Sequence, residues 1–136
     1  MADSYTALVA DSLAMIGREA PTPGERLRQL LLGTSLQITI DRETFGVFAD
    51  PSLRVAAPMP FPSVTLAAVG VTVAAVIGGR TTLEQVVLHD RLRVTGALES
   101  VARVHEALLQ FAHAGVRSPS FPLLVERFRA LSGAQP

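Results

Sequence analysis

Cysteine, lysine, asparagine and tryptophan are all missing from this chain of 136 residues. Without cysteine there is no disulfide framework, no thiol nucleophile and no cysteine-bound metal. Without lysine there is no lysine Schiff base, and arginine supplies all 12 Lys-or-Arg positions. Charge is also scarce: 18% of residues carry it, against about 25% in ordinary domains, while 49% are hydrophobic. The formal charges cancel and no basic run occurs, which excludes an electrostatic nucleic-acid surface. A sequence without Lys or Asn but rich in Ala, Val, Leu and Arg points to a GC-rich bacterial gene.

A membrane span is missing too. No charged residue falls within 55–79, yet Pro58, Pro60 and Pro62 break the first part and Gly70, Gly78 and Gly79 punctuate the rest. The apolar run over 64–77 falls short of the roughly 20 residues needed to span a bilayer. The N-terminus has an acidic residue, Asp3, where a secretory signal would carry positive charge. The expectation is a cytoplasmic protein with no stable membrane insertion. Its length suits one domain over 1–136, with helices in 1–33, a core in 36–114 and a last helix in 118–132.

What is present has clear periodicity. Tyr5, Leu8, Val9, Ser12 and Ile16 share one face of a helix over 4–18, which Pro21-Thr-Pro-Gly24 should break. A second helix over 25–32 turns Leu27, Leu30 and Leu31 inward. Leu36, Ile38 and Ile40 alternate with polar residues, as in a strand with one buried face. A turn over 41–44 leads to strands over 45–48 and 53–57, with Asp50-Pro51 marking the turn between them. The Pro-Met-Pro-Phe-Pro stretch is a loop or edge, and 64–69 is a fourth strand. The helix over 71–77 is apolar all round and must be covered on every side, by protein or by ligand.

Residues 81–111 organise the chain. Thr82 and Gln85 have capping-box spacing, and Leu83, Val86 and Val87 give the short helix an apolar side. Arg91-Leu-Arg-Val-Thr95 alternates as a half-buried strand, and Gly96 permits a corner into a long helix over 97–114. The succession Val76-Ile-Gly-Gly-Arg80, Thr82-Leu-Glu-Gln85, Arg91-Leu-Arg-Val-Thr-Gly96 and Leu98 onward resembles the sterol carrier protein type-two family. The match covers roughly 63–111; Asp90 stands where the family has glycine, and Ala97 where it has an acidic residue. The resemblance implies an α+β fold: a five-stranded, mostly antiparallel sheet covered by helices, with an apolar cavity between them. It also implies that the C-terminal stripe Phe121, Leu124, Phe128 and Leu131, behind its Gly115 hinge, can close as a lid. Ordinary core packing is the commoner meaning of such a stripe.

The expected lining of that cavity is Phe48, Phe61, Leu66, Val73, Ile77, Leu83, Val87, His105, Leu108, Phe121, Leu124 and Phe128. Among three histidines, His105 falls between Val101, Leu108 and Ala112 on the long helix, His113 on its wet side, and His89 at a helix end. None has metal-site spacing, so neither a metal nor a cofactor is expected. His105 therefore has three readings: a satisfied core histidine, a ligand contact, or a catalytic base. Asp50, Glu84 and Asp90 are explained by turns and helix starts. Two functions of different class follow. One is a carrier that binds a lipid or other apolar small molecule by area; the other is a cofactor-free cyclase or isomerase on an apolar biosynthetic intermediate. A dimerisation module, with the apolar surplus at a homodimer interface, is a third.

Overall fold

Ser4 opens the part of the chain that the computed structural model describes, residues 4–133. Its Oγ accepts the Ala7 N–H at 3.1 Å and caps α1 (Tyr5–Glu19). The helix buries Tyr5, Leu8, Ser12, Met15 and Ile16, and the Ser12 hydroxyl donates to the Leu8 carbonyl. Pro21-Thr-Pro-Gly24 does not merely end this helix but is the first turn of α2 (Pro21–Leu31). Proline at the first helical position loses nothing, because that N–H has no partner in the helix. Gly24 lets the two helices cross closely, since a Cβ there would come within 3.0 Å of Ile16 Cγ2.

Five strands follow: β1 (Leu36–Ile40), β2 (Glu43–Ala49), β3 (Leu53–Ala56), β4 (Val64–Ala68) and β5 (Leu92–Gly96), in sheet order β3-β2-β1-β4-β5. The sheet is mixed rather than mostly antiparallel, because β1 and β4 run parallel with Leu36 opposite Val64. The proline-rich segment explains this departure. Residues 57–63 lack N–H donors at three positions and do not pair with β3; they pass over Gln37 and Gly46, where Met59 donates its N–H to Gln37 Oε1, and deliver β4 to the free edge of β1. The β1–β2 turn is also tighter than expected. Ile40 pairs with Glu43, leaving only Asp41 and Arg42 in the loop, with Asp41 at φ 56°.

The remaining helices are α3 (Gly70–Ile77), α4 (Leu83–Leu88), α5 (Leu98–Arg117) and α6 (Phe121–Gly133). Leu36, Ile38 and Ile40 share the helix-covered face with Phe45, Val47, Val64 and Leu66, as the strand register requires. There they meet Leu8, Met15, Ile16, Val104 and Phe128 in one core. The opposite face is polar: Thr39 and Thr44 share a hydrogen bond across it. α3 is not covered on every side. It packs Thr72 and Ala74 inward against α6, but Val71 is 60% exposed. Eight residues on a domain surface simply present more faces than the neighbouring helices can reach.

Candidate functional site

The α4–β5–α5 unit leaves a cleft of about 530 Å³ in the packing. α4 starts where Thr82 Oγ1 accepts the Gln85 N–H at 3.2 Å, and it ends after six residues. The chain turns into β5 at Asp90, whose φ of 58° is left-handed; Arg91 then donates its N–H to the Val86 carbonyl. Aspartate adopts this conformation more readily than most residues because its short polar side chain can hydrogen-bond to the local backbone, whereas glycine, lacking Cβ, adopts it freely. β5 is an edge strand, and α4 is too short to cover it. α5 passes over the other side. What remains is a slot.

Leu83 and Val87 of α4, Leu92 and Val94 of β5, and Val101, Val104 and Leu108 of α5 line this slot. Asp90, Arg93, Thr95 and His105 supply its polar groups. The slot is open to solvent, unlike the cavity between sheet and helices that the resemblance implies. Of the expected lining, Leu83, Val87, His105 and Leu108 do converge here. Leu66, Leu124 and Phe128 are buried in the core, with Val73, Ile77 and Phe121 packed against it. Phe121 lies on Gly115, where an added Cβ would come within 2.8 Å of its ring. Phe48 is on the opposite face of the sheet, under the Arg54 guanidinium at 4.7 Å. Phe61 is 90% exposed in the proline-rich loop.

His105 lines the cleft beside Val101 and Leu108. The buried line of α5 runs through Val104, Ala107, Ala114 and Gly115, and His105 lies about 100° round the helix from Val104, exposed at the cleft. It is not a core histidine. Sequence reasoning missed Leu92, Val94, Val101 and Val104 as cleft residues. The alternation of β5 was the available signal, but it marks a buried face without saying what covers that face. His89 is at the α4 C-terminus as expected, with Nδ1 2.8 Å from the Gln85 carbonyl.

α6 contributes nothing to the cleft lining. It packs on α1 and α3, with Phe128 beside Tyr5 at a ring-centroid distance of 6.4 Å. Glu19 at the end of α1 accepts the Ser120 N–H and hydroxyl at 2.9 and 2.6 Å, fastening the start of α6. Those two bonds hold the Glu19 carboxyl below its usual range. A shallower depression between α1 and α6 includes Met15 and Leu124 and is bridged by Asp11 and Arg127 at 2.9 Å.

A second polar cluster sits at the other end of the sheet, around Tyr5. Glu43 accepts the backbone N–H groups of Tyr5 and Thr6 at 3.0 and 2.6 Å, and the Thr6 hydroxyl as well. Burial opposes ionisation of Glu43, but these bonds outweigh it and hold the carboxyl below its usual range. Asp41 accepts the Gly70 N–H at 2.9 Å. The Tyr5 hydroxyl is buried between them without a hydrogen-bond partner among the described residues. Burial, then the charges of Asp41 and Glu43, push its pKa up to about 12. No group of three or more His, Asp or Glu side chains that could hold a metal occurs among the described residues. None of the described helices is long and apolar enough to cross a membrane.

No family model and no curated protein matches the sequence. The fold, by contrast, is shared with several solved structures. The chain is similar to the UbiJ-SCP2 ubiquinone synthesis protein, with 18% identity and a TM-score of 0.61 over 82% of this chain and 91% of that one. It is also similar to sterol carrier protein domain 2 of Helicoverpa armigera, with 11% identity and a TM-score of 0.60 over 83% and 95%. Sterol carrier protein 2 of Yarrowia lipolytica in its apo form gives 12% identity and 0.51 over 77% and 87%.

Proposed function

We propose that this domain, whose fold is that of sterol carrier protein 2, binds a lipid or other apolar small molecule in the α4–β5–α5 cleft. The observation that carries this reading is the lining: apolar side chains from three elements converge on a space that no side chain fills, with polar groups kept few. Such a site works by area. Burying about 300 Å² of guest at ~25 cal/mol/Å² contributes roughly 7–8 kcal/mol before the costs of association. Two of the similar structures are sterol carriers and one is a ubiquinone synthesis protein, which favours an apolar guest.

Titration with an environment-sensitive apolar fluorophore tests it, and the absence of tryptophan keeps the background low. Val87 is half-exposed at the cleft, so Val87→Asp should leave thermal unfolding nearly unchanged and weaken probe binding at least about tenfold. Equal affinity in the variant would remove the cleft from consideration. Native mass spectrometry of the purified protein should show a co-purifying apolar molecule.

A cofactor-free cyclase or isomerase in the same cleft is the second reading, favoured by the exposed imidazole of His105 among the lining. His105→Ala discriminates between the two. A binder keeps its probe affinity within about threefold, whereas an enzyme loses turnover on its substrate while the fold stays intact.

A further inference from the structure

We propose that the free edge of β5 is a homodimer seam, where a second copy of the chain continues the sheet by antiparallel pairing of β5 with β5. The hydrogen-bond pattern leaves that edge unpaired. The Ala68 carbonyl accepts the Asp41 N–H at 3.2 Å, and the Ser35 carbonyl accepts the Val64 N–H at 3.2 Å, so the even-numbered residues of β4 face β1. Main-chain groups alternate sides along a strand, so Thr65 and Ala67 face β5 and bond their partners Thr95 and Arg93. Leu92 and Val94 therefore aim their N–H and C=O groups outward, where no described residue bonds them. Only water or another strand can satisfy such a row; an apolar guest in the cleft cannot. The opposite edge of the sheet is blunted. There β3 is four residues long and lies between Pro51 and Pro58, whereas 91–96 contains no proline.

Charge chooses the register. Outward residues must pair with outward residues, so a two-fold axis through the seam passes at Leu92, Arg93, Val94 or Thr95. An axis at Leu92 sets Arg91 opposite Arg93 of the second copy twice over, and an axis at Arg93 sets that residue opposite itself. Like charges directly opposed destabilise a strand pair. An axis at Thr95 places Leu92 opposite Leu98, which is already in α5 and outside the strand. With the axis at Val94, Arg93 faces Thr95, Arg91 faces Ala97 and Leu92 faces Gly96. No like charges meet, and both outward residues gain main-chain partners.

The same register gathers two exposed leucines. Leu88, 78% exposed, ends α4 just before β5, and Leu98, 86% exposed, begins α5 just after it. Antiparallel pairing sets the end of one strand beside the start of the other, so Leu98 of each copy comes to the Leu88 end of the other. Opposed residues share a face, so the helices of both copies stay on one side of the joined sheet. The second strand then runs along the cleft wall that Arg93, Val94 and Thr95 form, and the site is completed from two copies. This last link rests on the binding function proposed above; the seam itself does not.

Sedimentation equilibrium of the full chain, with no ligand present, tests the seam. One strand pair is a small interface, so the wild type should exchange between monomer and dimer with a Kd of about micromolar. Thr95→Arg, which opposes Arg93 of the second copy twice, should weaken the dimer at least about tenfold. Thr95→Glu should tighten it about threefold at low salt and lose that gain at high salt. Thr95 is exposed, so both variants should unfold close to the wild-type temperature. Because the chain has no cysteine, Val94→Cys places a single thiol on the axis. Opposed Cα atoms there lie about 5.5 Å apart, within disulfide reach. Mild oxidation should therefore cross-link Val94→Cys but not Val116→Cys, whose site is 85% exposed at the far end of α5. Three results would overturn the seam: a monomer at every concentration up to about 0.5 mM, a dimer indifferent to both Thr95 substitutions, or cross-linking of Val94→Cys no faster than of Val116→Cys. A dimer that binds no apolar fluorophore supports the seam and severs only its link to the cleft; a monomer that binds the fluorophore overturns the seam and leaves the cleft standing.

Discussion

Tyr5 is the sole tyrosine of a chain without tryptophan, cysteine or lysine, so its phenol can be titrated with little interference. Its side chain is 3% exposed, and its hydroxyl has the carboxylates of Asp41 and Glu43 for electrostatic neighbours. Burial and then the two carboxylates disfavour the phenolate, raising the pKa from 10.0 to about 12. A shift of that size corresponds to about 2–3 kcal/mol between folded and unfolded states. Below about pH 10 both states hold the proton and the contribution to stability is fully present. Above it the unfolded chain ionises and the folded one does not, so stability should fall by about 1.4 kcal/mol per pH unit until the folded phenol titrates at about 12. Arginine stays protonated throughout. The assay is phenolate absorbance near 295 nm, in buffer and in concentrated urea, followed alongside circular dichroism. A midpoint near pH 10 with the helical signal intact would refute the reasoning. Phenolate appearing above about pH 11, with or without cooperative unfolding, agrees with it.

Other substitutions test the same framework. Gly70→Ala should cost about 2–4 kcal/mol in urea unfolding, because its Cβ would fall 1.9 Å from the Tyr5 hydroxyl oxygen and 2.8 Å from Asp41 Oδ2; Tyr5→Phe should restore part of the loss, and additive single effects would contradict the contact. Glu43→Ala should destabilise by about 1–3 kcal/mol, since two backbone N–H groups at the start of α1 lose their acceptor. Because the folded pKa of Glu43 is lowered, its contribution is present above the ordinary value of 4.5 and lost as pH falls through the folded one; acid unfolding of the variant should accordingly be shallower. Asp90→Gly should change stability by less than about 0.5 kcal/mol, whereas Asp90→Val should cost about 1–2 kcal/mol, because a β-branched residue resists a φ of 58°.

Where the chain spoke for itself, the cause was local. The Thr82 cap, the alternation of Arg91 to Thr95 and the α5 helix arise from residues within a few positions of one another, and each forms as its pattern requires. Leu83, Val87 and Leu108 line one cleft, and the elements that carry them, α4 and α5, are separated in the chain only by β5. The resemblance in this stretch led to the right fold, although sequence identity to the similar structures is only 11–18%.

What the residues could not specify depends on partners distant in sequence. The parallel β1–β4 pairing joins strands separated by the proline-rich segment 57–63, and the edge that β4 takes is available only once β1 and β2 are in place. Periodicity gave α5 an apolar side, but α2 and the sheet decided its rotation, and a turn of about 100° separates a buried Val104 from an exposed His105. The same limit applies to the C-terminal stripe: any helix with Leu124 and Phe128 on one side must bury them, yet only the position of Tyr5 and α1 determined where. Sequence alone therefore determined which elements form and which faces are apolar, because those properties are short-range. Which apolar faces close on one another, and which remain open as a cleft, was decided by tertiary packing, because an apolar side chain has no preference among the surfaces that can remove it from water.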